Sequence, residues 1–296
     1  MSEFDPRHGE LVPLGEGIAR VTAPNEGPFT GAGTNTYLVG TDRLMIIDPG
    51  PDDADHVAAV TTAVAGREVT HILLTHTHRD HVGALQALRS AVGGEVIAEG
   101  PHRLSRPLFD GETNPFERAG DNGFRPDRSV ADGDTVDNGE TVLGVITTPG
   151  HAANHVVYER GADCFSGDHV MGWSTSVVAP PDGSMGAYMA SLDKLIATSH
   201  VRFLPGHGGA IDEPAKVVSA IKTHRLLRER AILERIVEGD RTVADIVEAL
   251  YGGIDPRLRG AAGLSVLAHL EKLAEEGRVD GDGFGREATW TPRQAA

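Results

Sequence analysis

The heptapeptide THTHRDH, residues 75–81, constrains the fold more than any other stretch of this 296-residue chain. It follows the apolar run Ile72–Leu74. Side chains two apart on an extended strand project to the same side, so His76 and His78 point together out of the end of a strand. The turn into the next helix then presents Asp80 and His81 close by. This places nitrogen and oxygen donors where two adjacent cations fit better than one. A solvated His-rich turn is the bland alternative, and the rest of the chain argues against it.

Three singletons sit where apolar runs end in Gly-bearing turns: His151 in TTPGHAANH, Asp168 in CFSGDH and His207 in FLPGHGG. Any one of them alone is more often structural than catalytic. Joined to the heptapeptide they supply five His and two Asp, enough for two metals and a bridging carboxylate. Composition agrees, with 14 His against 1 Cys. The lone Cys164 excludes an intramolecular disulfide and suits a reducing compartment, so a cytoplasmic protein is expected. The first residues, MSEFDPRHGE, have neither the basic start nor the apolar core of a secretory signal. No apolar run approaches the ~18 residues of a membrane span, so no membrane partner is expected. The net charge of −16 lies almost wholly before residue 212 and disfavours broad nucleic-acid binding. A bound cation can still invert the field around one anionic substrate.

Short β-type runs alternate with helical ones through the first two-thirds of the chain. Strands are expected at 17–23, 36–40, 43–48, 70–75, 96–98, 141–148, 155–160, 163–166 and 202–204. Helices are expected at 53–65, 81–92 and 187–199, with long loops at 23–35 and 100–134 that serve as lids or substrate-facing walls. After Asp212 the pattern changes to a long helix at 214–238, helices at 242–251 and 264–276, and a Gly-centred hairpin at 278–291. Helix, helix, helix and wing is the order of a winged-helix module. Two domains follow, residues 1–212 and residues 213–296.

THTHRDH, then His151, Asp168 and His207 in that order, resembles the metallo-β-lactamase-fold hydrolase superfamily. GAGTNTYLVG (31–40), TPGHAANHVVY (148–158) and HRLLRERAILERI (224–236) are similar to one branch, the β-lactamase-like protein 2 family, which also ends in a winged-helix-like domain. The resemblance implies an α/β fold, an αββα sandwich with metals at one edge and a small C-terminal winged-helix-like domain. It implies that His76, His78 and His151 hold one divalent ion and that Asp80, His81 and His207 hold a second, with Asp168 bridging. Zinc is the default, and manganese or iron fits the same donors. A hydroxide bridging the metals would be the nucleophile, with Asp80 both a ligand and its catalytic orienter. Asp48, in IIDPG, is a candidate for hydrogen-bonding the outer nitrogen of a ligand His, or else simply caps the turn.

Characterised members of that branch cleave single-stranded RNA, which makes a phosphodiesterase of single-stranded RNA the expected activity. An ester or thioester hydrolase of the glyoxalase II type acting on a small molecule shares the same seven ligands. A metal-containing binding or regulatory protein that uses its tail is the non-enzymatic alternative. The helix at 264–276 sets Lys272 and His269 against Glu271, Glu275 and Glu276, so duplex DNA is not expected as a partner. Arg225, Arg228, Arg230 and Arg235 either steer an anionic substrate or form a solvated face with pairs such as Arg230–Glu234. The tail is read as a wall of the active-site cleft or a homodimer contact. His155 and His169 are candidates to support the site, and Trp173 and Tyr37 to line its entrance. Tyr37 and Cys164 have equally ordinary readings as packed strand residues, and His71, His200 and His224 are read as structural.

Overall fold

The period-two alternation of the strands decides the layers. In Arg43–Ile47, Leu44 and Ile46 face one apolar cluster while Met45 and Ile47 face another. A strand buried on both sides in this way must lie inside a layered α/β protein. The computed structural model describes residues 4–15, 17–283 and 285–293, and it shows that arrangement.

The first sheet holds seven strands side by side in chain order: β1 (Val12–Gly15), β2 (Ile18–Thr22), β3 (Asn35–Val39), β4 (Arg43–Ile47), β5 (Glu68–Leu73), β6 (Glu95–Ala98) and β7 (Arg128–Ser129). Pairing is antiparallel from β1 to β4 and parallel from β4 to β7. The second sheet is built from β8 (Thr135–Asp137), β9 (Val142–Thr147), β10 (Val156–Arg160), β11 (Asp163–Gly167) and β12 (Arg202–Pro205), in the order β12-β11-β10-β9-β8. Between the sheets Tyr37, Met45, Ile47 and Leu73 meet Val145, Tyr158, Phe165 and Leu204.

Helices α1 (Ala54–Val64), α2 (Arg79–Val82) and α3 (Leu85–Val92) follow strands of the first sheet, and α1 and α3 cover its outer face through Val60, Val64, Leu85 and Leu88. The outer face of the second sheet is covered by α4 (Met185–Ile196) and the start of α5 (Pro214–Glu238), through Tyr188, Leu192, Val218 and Ile221. The far end of α5 contributes Ile232 and Ile236 to a separate cluster. There it meets α6 (Val243–Tyr251), α7 (Arg259–Glu275) and a hairpin of β13 (Val279–Asp282) and β14 (Thr289–Pro292), closed by Trp290. Helix α5 therefore belongs to both cores, and α7 also reaches the outer face of the second sheet through Ala268. Among the described residues no helix is long and apolar enough to cross a membrane.

The elements differ from the sequence expectation in three ways. The helix expected at 81–92 is split after Val82, because the loop at Gly50 intervenes. Gly50 N donates to His81 O and Ala84 N donates to Gly50 O, each at 2.9 Å. Helix α7 begins at Arg259 rather than 264, its early turns packing Ala262 and Val266 into the tail core. Strands β1, β7 and β8 were not foreseen. They are edge or near-edge pieces of two to four residues, too short to carry a period.

Candidate metal centre

The seven predicted donors come together at one end of the two sheets. Three overlapping groups, His76–His78–His151, His76–His81–Asp168 and Asp80–His81–His207, each bring one ligand atom per residue within 4.8 Å of the others. His76 and His78 lie just past β5, and Asp80 and His81 lie in the single turn of α2. His151, Asp168 and His207 follow β9, β11 and β12. Asp168 lies between the two sets. Its Oδ1 is 3.3 Å from His81 Nε2, and its Oδ2 is 3.3 Å from His207 Nε2 and 3.7 Å from His151 Nε2.

Small residues make this density possible. Gly167, with φ +48, holds Asp168 in a turn where a Cβ would come 2.7 Å from His155 Nε2. At Gly206, before His207, a Cβ would come 2.5 Å from Asp168 Oδ1.

Hydrogen bonds on the outer side of each ring decide which nitrogen faces inward. His81 Nδ1 donates to Asp48 Oδ2 at 2.9 Å, and His78 Nε2 donates to Asp182 Oδ2 at 2.9 Å. His151 Nδ1 donates to Val177 O at 2.6 Å and His207 Nδ1 to Gly33 O at 3.2 Å. Thr75 Oγ1 spends its proton on Asp48 Oδ2 at 2.8 Å, so it accepts from His76 Nδ1 at 3.0 Å. Each of the five clustered histidines thus commits one ring nitrogen to an outward partner and turns the other toward the centre. His76 Nε2 and His151 Nε2 approach His78 Nδ1 to 3.1 and 3.0 Å, and His81 Nε2 and His207 Nε2 are 3.3 Å apart. Ring nitrogens crowded this closely, with Asp168 Oδ1 buried and without a hydrogen-bond partner, are what a cation would reconcile. The donor set therefore fits divalent metal.

Electrostatics separate the two halves. Burial, then His81 and His78, hold the His76 imidazole well below its ordinary pKa, and burial and then His78 push His151 down. Burial acts the same way on His207, but Asp168 and Asp80 outweigh it and raise His207 to about 9. Burial alone would raise Asp168 and Asp80, yet His207 and His81 hold both carboxyls well below the carboxylate range.

Asp48 sits at the end of β4 with φ +54 and accepts from Thr75 N, Thr75 Oγ1 and His81 Nδ1. It braces a donor in each half, His81 directly and His76 through Thr75. His155 is buried, and its Nε2 accepts from Asp168 N at 3.1 Å, supporting the turn. His169 stacks on Tyr188 with both ring nitrogens buried and unpartnered. Tyr37 is core rather than entrance: its hydroxyl donates to Pro205 O and its ring packs on Phe165. Trp173 lies over Gly31 and Gly208. Sequence reasoning missed Asp182, which also lies 3.3 Å from His102 Nε2. It is distant from His78 in the chain and carries no motif.

A cavity of about 270 Å3 opens onto His78, Asp80, His151 and Asp168. Its other walls are mostly apolar, with Phe29, Phe116, Ala119, Met171, Val177 and Ala179 beside Thr30, Arg79 and Asp182. Phe29 and Phe116 come from the two long loops and meet edge to face, with centroids 6.2 Å apart.

Residues 29–207 match the metallo-beta-lactamase superfamily, and residues 242–290 match the beta-lactamase associated winged helix domain. The chain belongs to the metallo-β-lactamase superfamily. A beta-lactamase-like protein 2 homolog of Caenorhabditis elegans is 31% identical over 92% of this chain and 88% of its own length. An atrochrysone carboxyl ACP thioesterase of Aspergillus terreus is 29% identical over 94% of this chain and 84% of its own. The crystal structure of a beta-lactamase domain protein from Burkholderia ambifaria shares the fold over 98% of this chain and 96% of its own, with a TM-score of 0.80 at 19% identity. The metallo-β-lactamase chain is therefore a hydrolase with a cluster able to hold metal and a winged-helix tail.

Proposed function

We propose that the protein is a binuclear, zinc-dependent hydrolase of acyl thioesters. His76, His78 and His151 hold one ion, Asp80, His81 and His207 hold the other, and Asp168 lies between them. The observation that carries the substrate class is the apolar cavity set directly on the donor cluster, walled by Phe29, Phe116, Met171 and Val177. Apolar walls bind an acyl chain by removing its surface from water. A polyanion would need a basic track, and among the described residues lining this cavity only Arg79 carries a fixed positive charge. The similarity to an ACP thioesterase supports the reading. Cys164, buried and unpaired, suits the cytoplasm as its compartment.

Bound cations would polarise the acyl carbonyl and acidify a water held between them. The chain supplies the rest. The partly exposed Asp80 carboxylate faces the cavity and orients the attacking water by accepting a hydrogen bond from it. Asp48 keeps His76 and His81 in the binding tautomer, and the two phenylalanines exclude bulk water from the acyl side. The water oxygen bonds to the acyl carbon, the carbon–sulfur bond breaks, and the thiol leaves with a proton from that water.

The test is hydrolysis of acyl thioesters and of a labelled single-stranded RNA by the zinc-loaded protein, beside Asp80→Ala. Thioester turnover that Asp80→Ala abolishes, with the RNA intact, is expected. RNA cleavage without thioester turnover would overturn the proposal in favour of a nuclease.

A further inference from the structure

We propose that the cleft between the catalytic half and the winged-helix tail binds the leaving-group arm of the thioester, a thiol carried on a long chain that ends in a phosphate. This rests on the thioesterase reading above and adds what the second side of the substrate must be.

The cleft encloses about 840 Å3, within the range of ligand sites. It shares Phe29 and Val177 with the metal cavity, so the two spaces adjoin at the point where acyl group and leaving group would part. Val178, Ile254 and Leu258 give it apolar walls for the shaft of a chain.

Its two arginines form no ion pair among the described residues. Arg225 is buried, and its guanidinium donates to Ser176 O at 2.5 Å and Ser265 Oγ at 3.3 Å and lies 5.6 Å from the Tyr188 ring centre, with Nε buried without a partner and no ion pair among the described residues. Arg228, one turn further along α5, lies 4.3 Å over the Tyr251 ring and forms no ion pair among the described residues. Their neighbour Glu229 shows the contrast: it gathers Lys272 at 2.9 Å, His269 at 3.4 Å and Arg278 at 3.7 Å. A buried charge without an opposite charge is costly. The buried Arg225 guanidinium, with the half-buried Arg228 beside it, in a chain of net charge −16 marks a place for an anion. Asp255 is the one carboxylate among the described lining residues, and it is itself engaged by another group. His224 completes the cluster as a hydrogen-bonding ring, pushed toward neutrality by burial and then by Arg225 and Arg228. Guanidinium forks match a phosphate, and two of them suit one terminal phosphate rather than the repeated charges of a nucleic acid.

The cleft is also wired to the chemistry. Arg225 holds the carbonyl of Ser176, whose hydroxyl donates to Asp168 O at 2.5 Å, and the next carbonyl, Val177 O, orients His151. The segment that floors the cleft thus positions two metal donors.

Butyryl-phosphopantetheine and butyryl-pantetheine differ only in the phosphate and make the test. With the zinc-loaded protein, kcat/KM is expected to be about tenfold or more higher for the phosphorylated substrate, mainly through KM. Arg228→Gln should erase that preference while leaving butyryl-pantetheine turnover unchanged, which also shows the variant to be folded. Equal kcat/KM for the two substrates, or a preference that survives Arg228→Gln, would overturn the proposal and leave the thioesterase reading standing. If neither thioester is hydrolysed, the thioesterase reading fails, and calorimetry with free phosphopantetheine then judges the cleft. Binding that weakens about tenfold or more in Arg228→Gln upholds the phosphate site. No binding, or Arg228-dependent binding of a single-stranded oligonucleotide instead, refutes it.

Discussion

The sheet edge and the winged-helix tail both bury most of their side chains but are built from opposite materials. At the edge, five histidines crowd together with Asp48, Asp80, Asp168 and Asp182, and each inward nitrogen is defined by an outward hydrogen bond. In the tail, Ile232, Ile246, Leu267, Leu270 and Trp290 fill an ordinary apolar core. Burial has different consequences in the two places. In the tail it supplies stability directly through apolar area. At the edge it is a cost, offset by hydrogen bonds and by the cations that the donors fit. Substitutions at the edge should therefore remove function and spare folding, and substitutions in the tail core should do the reverse.

The largest effect is expected at Asp80. Asp80→Ala should lower kcat by about 10³-fold and reduce the bound metal, measured by elemental analysis, with little loss of Tm. A large fall in Tm would break the contrast. Next comes Leu270, fully buried in the tail. Leu270→Ala should cost about 2–5 kcal/mol in denaturant unfolding while the folded fraction still hydrolyses butyryl-pantetheine normally.

The third test asks how burial affects a histidine of the catalytic half that lies outside the donor cluster. Burial lowers His56 from an ordinary value near 6.5 to about 4, against the opposing pull of Asp53. Between those values the unfolded chain binds a proton that the native His56 refuses, so stability falls as pH drops from about 6.5 to about 4. His56→Gln should flatten that fall by about 2–3 kcal/mol, seen as a weaker pH dependence of unfolding in the metal-loaded protein. An unchanged slope would show that burial there is not costly.

The smallest effect is expected at Asp48. Asp48→Asn tolerates the left-handed backbone but points an amide at His81 Nδ1. Metal affinity should fall about 10–100-fold with Tm nearly unchanged. Affinity equal to that of the unaltered protein would mean that the tautomer is held by other contacts.

Much of this was legible in advance because ligand chemistry leaves strong local marks. A strand ending in alternating histidines, and single donors after Gly-bearing turns, are patterns a few residues long. The αββα layers were readable for the same reason, since β4 alone shows apolar residues facing both ways. Asp182 was not legible. It reaches His78 from far along the chain, and only packing makes them neighbours. The break between α2 and α3 was equally hidden, because the Gly50 carbonyl that captures Ala84 N belongs to a different connection.

By itself the sequence determined which donors exist, the strand ends that carry them, and the order of helices and wing in the tail. These are local properties, set by periodicity and turn chemistry. Tertiary structure alone decided what those donors face. It brought Phe29 and Phe116 from separate loops over the site, made α5 serve two cores, and left Arg225 and Arg228 without an ion pair among the described residues beside the metal cavity. Contacts between distant segments depend on how surfaces pack in three dimensions, and no short window of sequence contains both partners.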